Sequence, residues 1–276
     1  MATRCSTQLS FSFQPKLRLD FRGGDMSTDP GLLFLRELDH RLRLTRPLRS
    51  IVEDRRDPRY VRHGAGELLR QRIYQIAAGY EDAVDANLLR FDPTLQTIVC
   101  PEGPGEPLAG QSTFSRLENS ATWSDIRDLA DLSLDWFLRH GRKLRRSPAQ
   151  EILLDVDSTD DPTHGQQQLT LFRGKYNTYM YHPLVIFEGH TGHLLRSRLR
   201  PGAAGDAEGL VPELRRLLPR LRHAFPRAPI ALRADAGFTH PGLYDFLESE
   251  KIAYLLGIPR YKPFDPFVEP MVQRAQ

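Results

Sequence analysis

The chain has 276 residues, 40% of them hydrophobic and 26% charged, with a formal net charge of +3. This composition is typical of a soluble globular protein, and the length allows one large domain or two modest ones. No apolar run approaches the roughly 20 residues of a membrane span, and the N-terminus lacks the apolar core of a signal peptide. Cys5 and Cys100 are far apart and have no metal-binding spacing. We therefore expect a cytoplasmic protein without disulfides.

The first half of the chain is predicted to be mostly helical. Residues 1–25 show no clear pattern and are predicted to be a disordered tail. After Asp29-Pro30, a pair suited to the start of a helix, leucines recur at helical spacing. The same spacing recurs later in this half, so we expect a helical region over residues 26–146.

Positive charge is concentrated in this helical region. Arginines are frequent between Arg36 and Arg72, and a second cluster is Arg142-Lys143-Leu144-Arg145-Arg146. Clustered arginine is typical of phosphate binding, but it also occurs on solvated helix faces, so the charge alone leaves both interpretations open. The candidate DNA-binding residues are Arg62, Arg70, Arg72, Arg116, Arg142, Lys143, Arg145 and Arg146.

The pattern changes near residue 150. Strands are predicted from Ile152, over 178–187 and over 193–199, followed by a leucine-rich helix, a strand at Ile230, a helix over 241–250 and a last strand. The order β-β-β-α-β-α-β predicts an α/β fold with a mixed sheet over residues 150–276.

Two carboxylates follow strands that this order brings together. Asp157 ends the first strand, and Asp235 follows the strand at Ile230 in the phrase RADAGF. Asp155 lies two residues before Asp157 and shares its face. Carboxylates on neighbouring strands repel each other unless a cation lies between them, and oxygen ligands suit Mg²⁺. The sequence therefore predicts that Asp157 and Asp235 lie close together and share a divalent metal.

Five separated phrases point to one family. They are GELLRQRIYQIAAGYEDAVDAN, LAGQSTFSRLENS, LLDVDSTDDPTHGQQ, YMYHPLVIFEGHTGHLL and RADAGF. Together they resemble the DDE transposases of bacterial insertion sequences, in particular the insertion sequence 1380 type with DDE domain group 1. The element order is similar to the ribonuclease H-like fold of that family. The resemblance extends from about Gly24 to about Arg260.

The resemblance implies a function and a site. Asp157 and Asp235 match the first two catalytic aspartates of the family, which hold Mg²⁺ or Mn²⁺, and Asp155 is a further candidate metal ligand. Such enzymes cut DNA at the ends of the element and join the freed 3′-hydroxyl to target DNA. Their partners are the terminal inverted repeats and the target DNA, and they generally act as multimers, so a homo-oligomer is expected.

The third carboxylate of a DDE site has no clear match. After Asp235 the acidic residues are Asp245, Glu248, Glu250, Asp265 and Glu269. The first three fall on or at the end of a helix that packs away from the site in the family's fold. The other two lie in a proline-interrupted segment, which is predicted not to form a regular helix. We therefore expect a C-terminally truncated and inactive copy, unless Glu269 serves as the third ligand.

Two other functions remain open at this stage. DVDST also fits the D-x-D-x-T motif of haloacid dehalogenase-like phosphatases, in which Asp155 would be the nucleophile and Asp157 the general acid/base. The second alternative is a non-catalytic DNA-binding remnant that uses only the helical half.

Overall fold

The computed structural model describes residues 8–20, 27, 29–100, 106–144, 147, 150–165, 167–259 and 261–275. Contacts divide the chain into two compact units, Met1–Leu129 and Ala130–Gln276. This division lies upstream of the predicted boundary at residues 146–150, because Leu134 and Phe137 belong to the core of the second unit. A functional boundary near residue 150 stays a prediction. Within the described ranges, no helix is both long and apolar enough to cross a membrane.

The first unit is mostly helical, as predicted. Its elements are a hairpin, β1 (Gln8–Phe11) and β2 (Gln14–Asp20), followed by the helices α1 (Leu32–Leu42), α2 (Leu48–Ile51), α3 (Ala65–Ala77), α4 (Ala86–Leu89), α5 (Pro93–Val99), α6 (Gln111–Ser120) and the start of α7 (Trp123–Leu144). Two apolar clusters form its core, one around Tyr74 and Ile98 and the other around Leu68 and Phe114.

The hairpin corrects the prediction of a disordered tail. Strands β1 and β2 pair antiparallel, and Phe11 is buried in the cluster that contains Leu33 of α1. Leu17 and Leu19 pack against the same cluster. A short strand is stabilised by the surface that covers it, and here that surface comes from residues distant in sequence, so local periodicity does not reveal it. Residues 1–7 and 21–25 of the predicted tail lie outside the described residues.

The second unit contains eight described strands and three helices after α7. The strands are β3 (Ile152–Ser158), β4 (Asp161–Pro162), β5 (Leu171–Arg173), β6 (Thr178–Tyr181), β7 (Leu184–Glu188), β8 (His193–Arg198), β9 (Ile230–Ala234) and β10 (Ala253–Leu256). The helices are α8 (Leu210–Ala224), α9 (Pro241–Ser249) and α10 (Asp265–Ala275).

A mixed five-stranded sheet organises this unit. Its strand order is β10-β9-β3-β7-β8, in which β7 is antiparallel to both of its neighbours, β3 and β8, and β9 and β10 are parallel to β3. Helix α8 connects β8 to β9, and α9 connects β9 to β10. The predicted order β-β-β-α-β-α-β and the ribonuclease H-like fold class are therefore confirmed.

The strand predicted over residues 178–187 is divided into two. Pro183 separates β6 from β7, and β6 joins a small sheet of order β4-β6-β5 instead of the central sheet. Proline cannot donate a backbone hydrogen bond, so a central strand does not run through it.

The two faces of β3 have different environments. Ile152, Leu154 and Val156 are buried in a cluster with the leucines of α8, such as Leu214 and Leu217. The residues between them point to the opposite face, because side chains alternate along a strand. That opposite face carries Asp155 and Asp157, so the helices on the other side stabilise the sheet without covering these carboxylates.

Helix α10 corrects a second prediction. The proline-interrupted segment Asp265–Ala275 is helical, although Pro270 lies inside it. Pro266 lies in the first turn, where backbone N–H groups have no partner within the helix. Pro270 removes only one further helical hydrogen bond, and the helix continues past it. Several apolar side chains of α10, including Phe267 and Met271, are exposed.

Candidate active site

The register of β3 and β9 places the two predicted aspartates side by side. Asp155 pairs with Arg233 and Val156 pairs with Ala234 in this parallel ladder. Asp235 continues the line of β9 with extended backbone angles, φ −75° and ψ −178°. One further step along the register therefore places Asp157 beside Asp235, on strands about 4.8 Å apart and on the same face of the sheet.

Each of these carboxylates is fixed by one bond to its own loop. Oδ1 of Asp157 accepts a hydrogen bond from the backbone N–H of Ser158 at 2.7 Å. Oδ1 of Asp235 accepts one from the N–H of Gly237 at 2.9 Å and so caps the 3₁₀ turn Ala236–Phe238. Both side chains are exposed, and neither Oδ2 has a hydrogen-bond partner among the residues that the structure describes. Each Oδ2 is thus available to a cation.

Asp155 differs from Asp157, although the two share a face. Its Oδ1 and Oδ2 each accept a hydrogen bond at 2.6 Å from the guanidinium of Arg233. The hydrogen bond and the charge of Asp155 raise the pKa of Arg233. A carboxylate held at both oxygens is poorly placed to act as a nucleophile or as a metal ligand. This geometry disfavours the phosphatase interpretation of DVDST, and it favours Asp157 over Asp155 as a ligand.

A third carboxylate is not placed beside the pair. Within the described part of the chain, no group of three or more His, Cys, Asp or Glu side chains is arranged to hold a metal. Glu248 accepts a hydrogen bond from Tyr254, and Glu250 forms an ion pair with Arg222. Glu269 lies among apolar side chains of α10 and the segment before it, in a depression that also contains Phe264 and Val268. The described residues thus fit one half of a metal site, the Asp157–Asp235 pair.

A buried arginine supports the loop of Asp157. Arg200 is 4% exposed and donates to the backbone carbonyl oxygens of His182, Gly205, Asp206 and Glu208. Its remaining nitrogen, Nη2, donates to Oγ of Ser158 at 2.8 Å. Ser158 directly follows Asp157, so this contact ties the end of β3 to the segment after β8.

The same segment also supports the turn of Asp235. Oδ1 of Asp206 lies 2.7 Å from Nε2 of buried His182 and 3.1 Å from Nη2 of Arg173. Oδ2 of Asp206 lies against Gly237, where a Cβ atom would come within 2.2 Å of it. Only glycine leaves room for this approach. We refer to residues 199–208, which carry both Arg200 and Asp206, as the bridging loop.

Sequence reasoning missed the bridging loop. Arg200, Asp206 and His182 have no periodicity or motif spacing that separates them from surface residues. Arg200 contacts Ser158, which is 42 positions away in the chain. Asp206 contacts Gly237, which is 31 positions away. The only local signal is Arg200-Pro201-Gly202 directly after a strand, which predicts a turn and nothing more specific.

Most predicted DNA-binding arginines already have partners within the protein. Arg62 forms an ion pair with Glu106, and Arg72 donates to the backbone oxygens of Tyr80 and Glu81. Arg116 donates to the carbonyl of Ser112 in its own helix.

The structure describes only some of the remaining DNA-binding candidates in full. Arg70 is buried and donates to Thr45 and to the carbonyl of Val99. Arg142 and Lys143 lie in α7, but their side chains are outside the described part. Arg145 and Arg146 lie outside it altogether.

Comparison with known families identifies the chain. It matches the family described as transposase DDE domain group 1 over residues 9–276. The chain therefore belongs to the DDE transposases, which are DNA transposases, and the fold and the strand-end aspartates agree with that membership. A comparison with curated proteins found no significant match.

Solved transposase structures show weak similarity. The piggyBac transposase synaptic complex with hairpin DNA is 14% identical and has a TM-score of 0.42, covering 82% of this chain and 51% of that one. The catalytic domain of the Mos1 mariner transposase is 15% identical, with a TM-score of 0.27 and coverage of 53% and 69%. The Mos1 paired-end complex with the left transposon end is 14% identical, with a TM-score of 0.28 and coverage of 74% and 60%. The chain thus spans about half the length of the piggyBac chain.

Proposed function

We propose that this chain belongs to a bacterial insertion sequence whose transposase cuts and transfers DNA strands at the element's ends in a metal-dependent reaction, and that Asp157 and Asp235 are metal ligands. The observation that carries the proposal is the parallel register of β3 and β9, which pairs Val156 with Ala234, the residues directly before the two aspartates; each aspartate also has one oxygen without a hydrogen-bond partner among the described residues. The insertion sequence 1380 type is part of the same proposal and rests on the sequence phrases.

The chemistry requires both a metal and precise positioning. Water attacks a phosphodiester phosphorus at the element's end, the bond to the 3′ oxygen breaks, and the freed 3′-hydroxyl then attacks a phosphodiester of the target DNA. A divalent cation, Mg²⁺ or Mn²⁺, supplies charge stabilisation and activates the attacking oxygen. Asp157 and Asp235 hold this cation at the edge of the sheet, while the bridging loop fixes the loops that carry them.

Cleavage of DNA by this chain alone depends on whether a third carboxylate completes the metal site. A two-metal site needs more than two carboxylates, and the described residues contain no group of three or more side chains arranged to hold a metal. We propose that this chain by itself binds DNA and metal but cleaves poorly. The transposases that the sequence phrases resemble generally act as multimers, and we propose on that basis that this chain forms a homo-oligomer.

Metal binding by the full chain tests the carboxylate pair. We expect Mn²⁺ titration, followed by electron paramagnetic resonance, to show a site that Asp157→Asn and Asp235→Asn each weaken by at least about tenfold. Asp160→Asn, in the exposed turn after β3, is the matched control and should bind as the wild type does. Equal Mn²⁺ binding by all four proteins would refute the proposed site.

Cleavage of a DNA that carries the element's ends tests the third ligand. With Mg²⁺ or Mn²⁺, we expect little cleavage by this chain. Robust cleavage that is lost in Glu269→Gln would instead assign Glu269 as the third ligand and contradict the proposal of an inactive copy.

A further inference from the structure

An arginine-lined depression lies in the first unit, and Arg70 is the one residue of its lining that the sequence analysis selected as a DNA-binding candidate. It has a volume of about 810 Å³. Its walls come from α1, from α3 and from the segment RLRLTRPLRS between them. Six arginines line it: Arg36, Arg41, Arg43, Arg46, Arg49 and Arg70. We call this feature the arginine cleft.

The cleft contains very little negative charge of its own. Asp39 is the one carboxylate among its described lining residues. Its oxygens accept hydrogen bonds from Thr45 N at 2.7 Å, Thr45 Oγ1 at 2.6 Å and Tyr74 Oη at 2.6 Å. Nη1 of Arg36 lies 3.4 Å from the same carboxylate. Asp39 is therefore already occupied, and it offsets at most one of the six positive charges.

The rim arginines are positioned but not neutralised. Arg43, Arg46 and Arg49 are exposed, and none of them forms an ion pair with another described residue. The stem of Arg49 lies directly against Gly66 of α3, where a Cβ atom would come within 2.5 Å of its Cγ.

The positive charge of Arg70 on the floor of the cleft has no direct ion pair, although the carboxylates of Asp39 and Glu67 lie near enough to interact with it. Arg70 is 6% exposed and donates only to neutral oxygens, those of Thr45 and Val99. Burial and the nearby positive charge of Arg36 lower the pKa of Arg70. Nε of Arg36 is itself buried without a hydrogen-bond partner in the described part of the chain. Arg41 forms an ion pair with Glu37, so the excess positive charge of the site comes mainly from Arg43, Arg46 and Arg49, and an anion would offset it.

We propose that the arginine cleft binds consecutive backbone phosphates of duplex DNA. Guanidinium groups bind phosphate oxygens in a bidentate manner, and several arginines along one open depression match a polyanion better than a single small anion. This inference rests on the proposed function for its choice of DNA, and it assigns the contact to Arg43, Arg46 and Arg49. Because these arginines contact phosphates and not bases, the cleft binds DNA of any sequence.

The test measures binding of the full chain to a 30-base-pair duplex in EDTA over a range of salt concentrations. The variant is Arg43→Gln/Arg46→Gln/Arg49→Gln. The matched control is Arg59→Gln/Arg127→Gln/Arg222→Gln, which removes three exposed arginines that are paired with Asp57, Asp128 and Glu250. Both variants lower the net charge by three, the cleft variant at arginines without an ion pair among the described residues and the control variant at ion-paired ones.

We expect the cleft variant to lose at least about tenfold in affinity near 0.1 M salt. The slope of log K against log salt should become shallower by about two to three, since each lost phosphate contact contributes about 0.9. The control variant should keep the wild-type slope. If circular dichroism shows that the triple variant is unfolded, the double variant Arg46→Gln/Arg49→Gln replaces it in the binding measurement. The double variant keeps Arg43, whose backbone has a left-handed conformation at the end of α1.

Two outcomes would overturn the proposal. One is an equal loss of DNA affinity in the cleft and control variants. The other is unchanged DNA binding with loss of binding to a polyglutamate probe, which would assign the cleft to an acidic protein partner. Asp157→Asn/Asp235→Asn separates this inference from the proposed function, because it should abolish Mn²⁺ binding and leave the salt slope unchanged. A negative result in the Mn²⁺ measurement therefore counts only against the metal site, and a negative result in the salt measurement counts only against the arginine cleft.

Discussion

At the residue scale, two aspartates on one strand face have different partners. Both oxygens of Asp155 accept hydrogen bonds from Arg233, whereas Asp157 leaves one oxygen free beside Asp235. Strand alternation predicts that the two residues share a face, but it does not indicate which of them an arginine will neutralise. The difference is made by β9, which places Arg233 in register with Asp155.

Asp155→Asn is expected to change Mn²⁺ affinity by less than about threefold, because Asp155 is occupied by Arg233. Its effect on stability should also be small, since exposed ion pairs contribute at most about 1 kcal/mol. Metal titration and urea denaturation of the full chain measure the two effects. A loss of Mn²⁺ affinity as large as that of Asp157→Asn would instead make Asp155 a ligand.

Gly237→Ala is expected to disrupt the turn that carries Asp235. The new methyl group would overlap Oδ2 of Asp206, so either the turn or the bridging loop must move. We expect a loss of about 1–3 kcal/mol in the free energy of unfolding, together with weaker Mn²⁺ binding. Gly174→Ala is the matched control, because nothing lies within 4 Å of its added Cβ. Equal stability and metal affinity in the two variants would mean that Gly237 is not sterically required.

At the scale of elements, the bridging loop links strands that are not consecutive in the chain. It follows β8, and through Arg200 and Asp206 it contacts the residues just after β3 and β9. The ends of these two strands carry Asp157 and Asp235. Their relative position therefore depends on a third segment as well as on the ladder between them.

The bridging loop should make stability depend on acid pH. Burial alone would raise the pKa of Asp206, but the hydrogen bond from His182 and the positive charge of Arg173 outweigh it, and the pKa lies below the usual 3.8. The folded state therefore binds the proton more weakly than the unfolded state does. This stabilisation is present above about pH 3.8 and is lost as the pH falls through the lower, folded-state pKa.

Asp206→Asn is expected to reduce the free energy of unfolding by about 1–2 kcal/mol at pH 7, because a half-buried charge that accepts hydrogen bonds from His182 and Arg173 is replaced. The difference from the wild type should shrink as the pH falls below 3.8. Urea denaturation at pH 7, 5 and 3 measures it, with Asp160→Asn as an exposed control. A difference that stays constant down to pH 3 would contradict a role for the Asp206 charge.

At the scale of the whole molecule, each compact unit has its own apolar core. Leu68 is fully buried in a cluster of the first unit, and Leu217 is buried in the cluster that covers the central sheet of the second. Separate cores are the condition under which unfolding departs from a single two-state transition.

We expect calorimetry to resolve two unfolding transitions. Leu68→Ala and Leu217→Ala should each destabilise by about 2–5 kcal/mol, and each should lower the midpoint of a different transition. Ile73→Ala, at an exposed position of α3, is the control and should shift neither by a comparable amount. One transition shifted equally by both core substitutions would show that the chain unfolds as one unit.

The sequence by itself determined the class of fold and the family. Leucine spacing in α8 and the apolar stretches of β3 and β9 are local patterns, and they were sufficient for the order β-β-β-α-β-α-β. The five separated phrases together were sufficient for the DDE transposase family, which the family match then confirmed. Local patterns are informative here because helix and strand periods are properties of consecutive residues.

Only the tertiary structure decided which arginine side chains lack a partner within the protein. Arg62 and Arg72 look like phosphate ligands in the sequence but have internal partners, whereas Arg46 and Arg49 have no ion-pair partner among the described residues. Local sequence patterns also did not predict the hairpin at residues 8–20 or the bridging loop. In each case the partners are distant in the chain, and hydrogen bonding and packing depend on which distant residues the fold brings into contact.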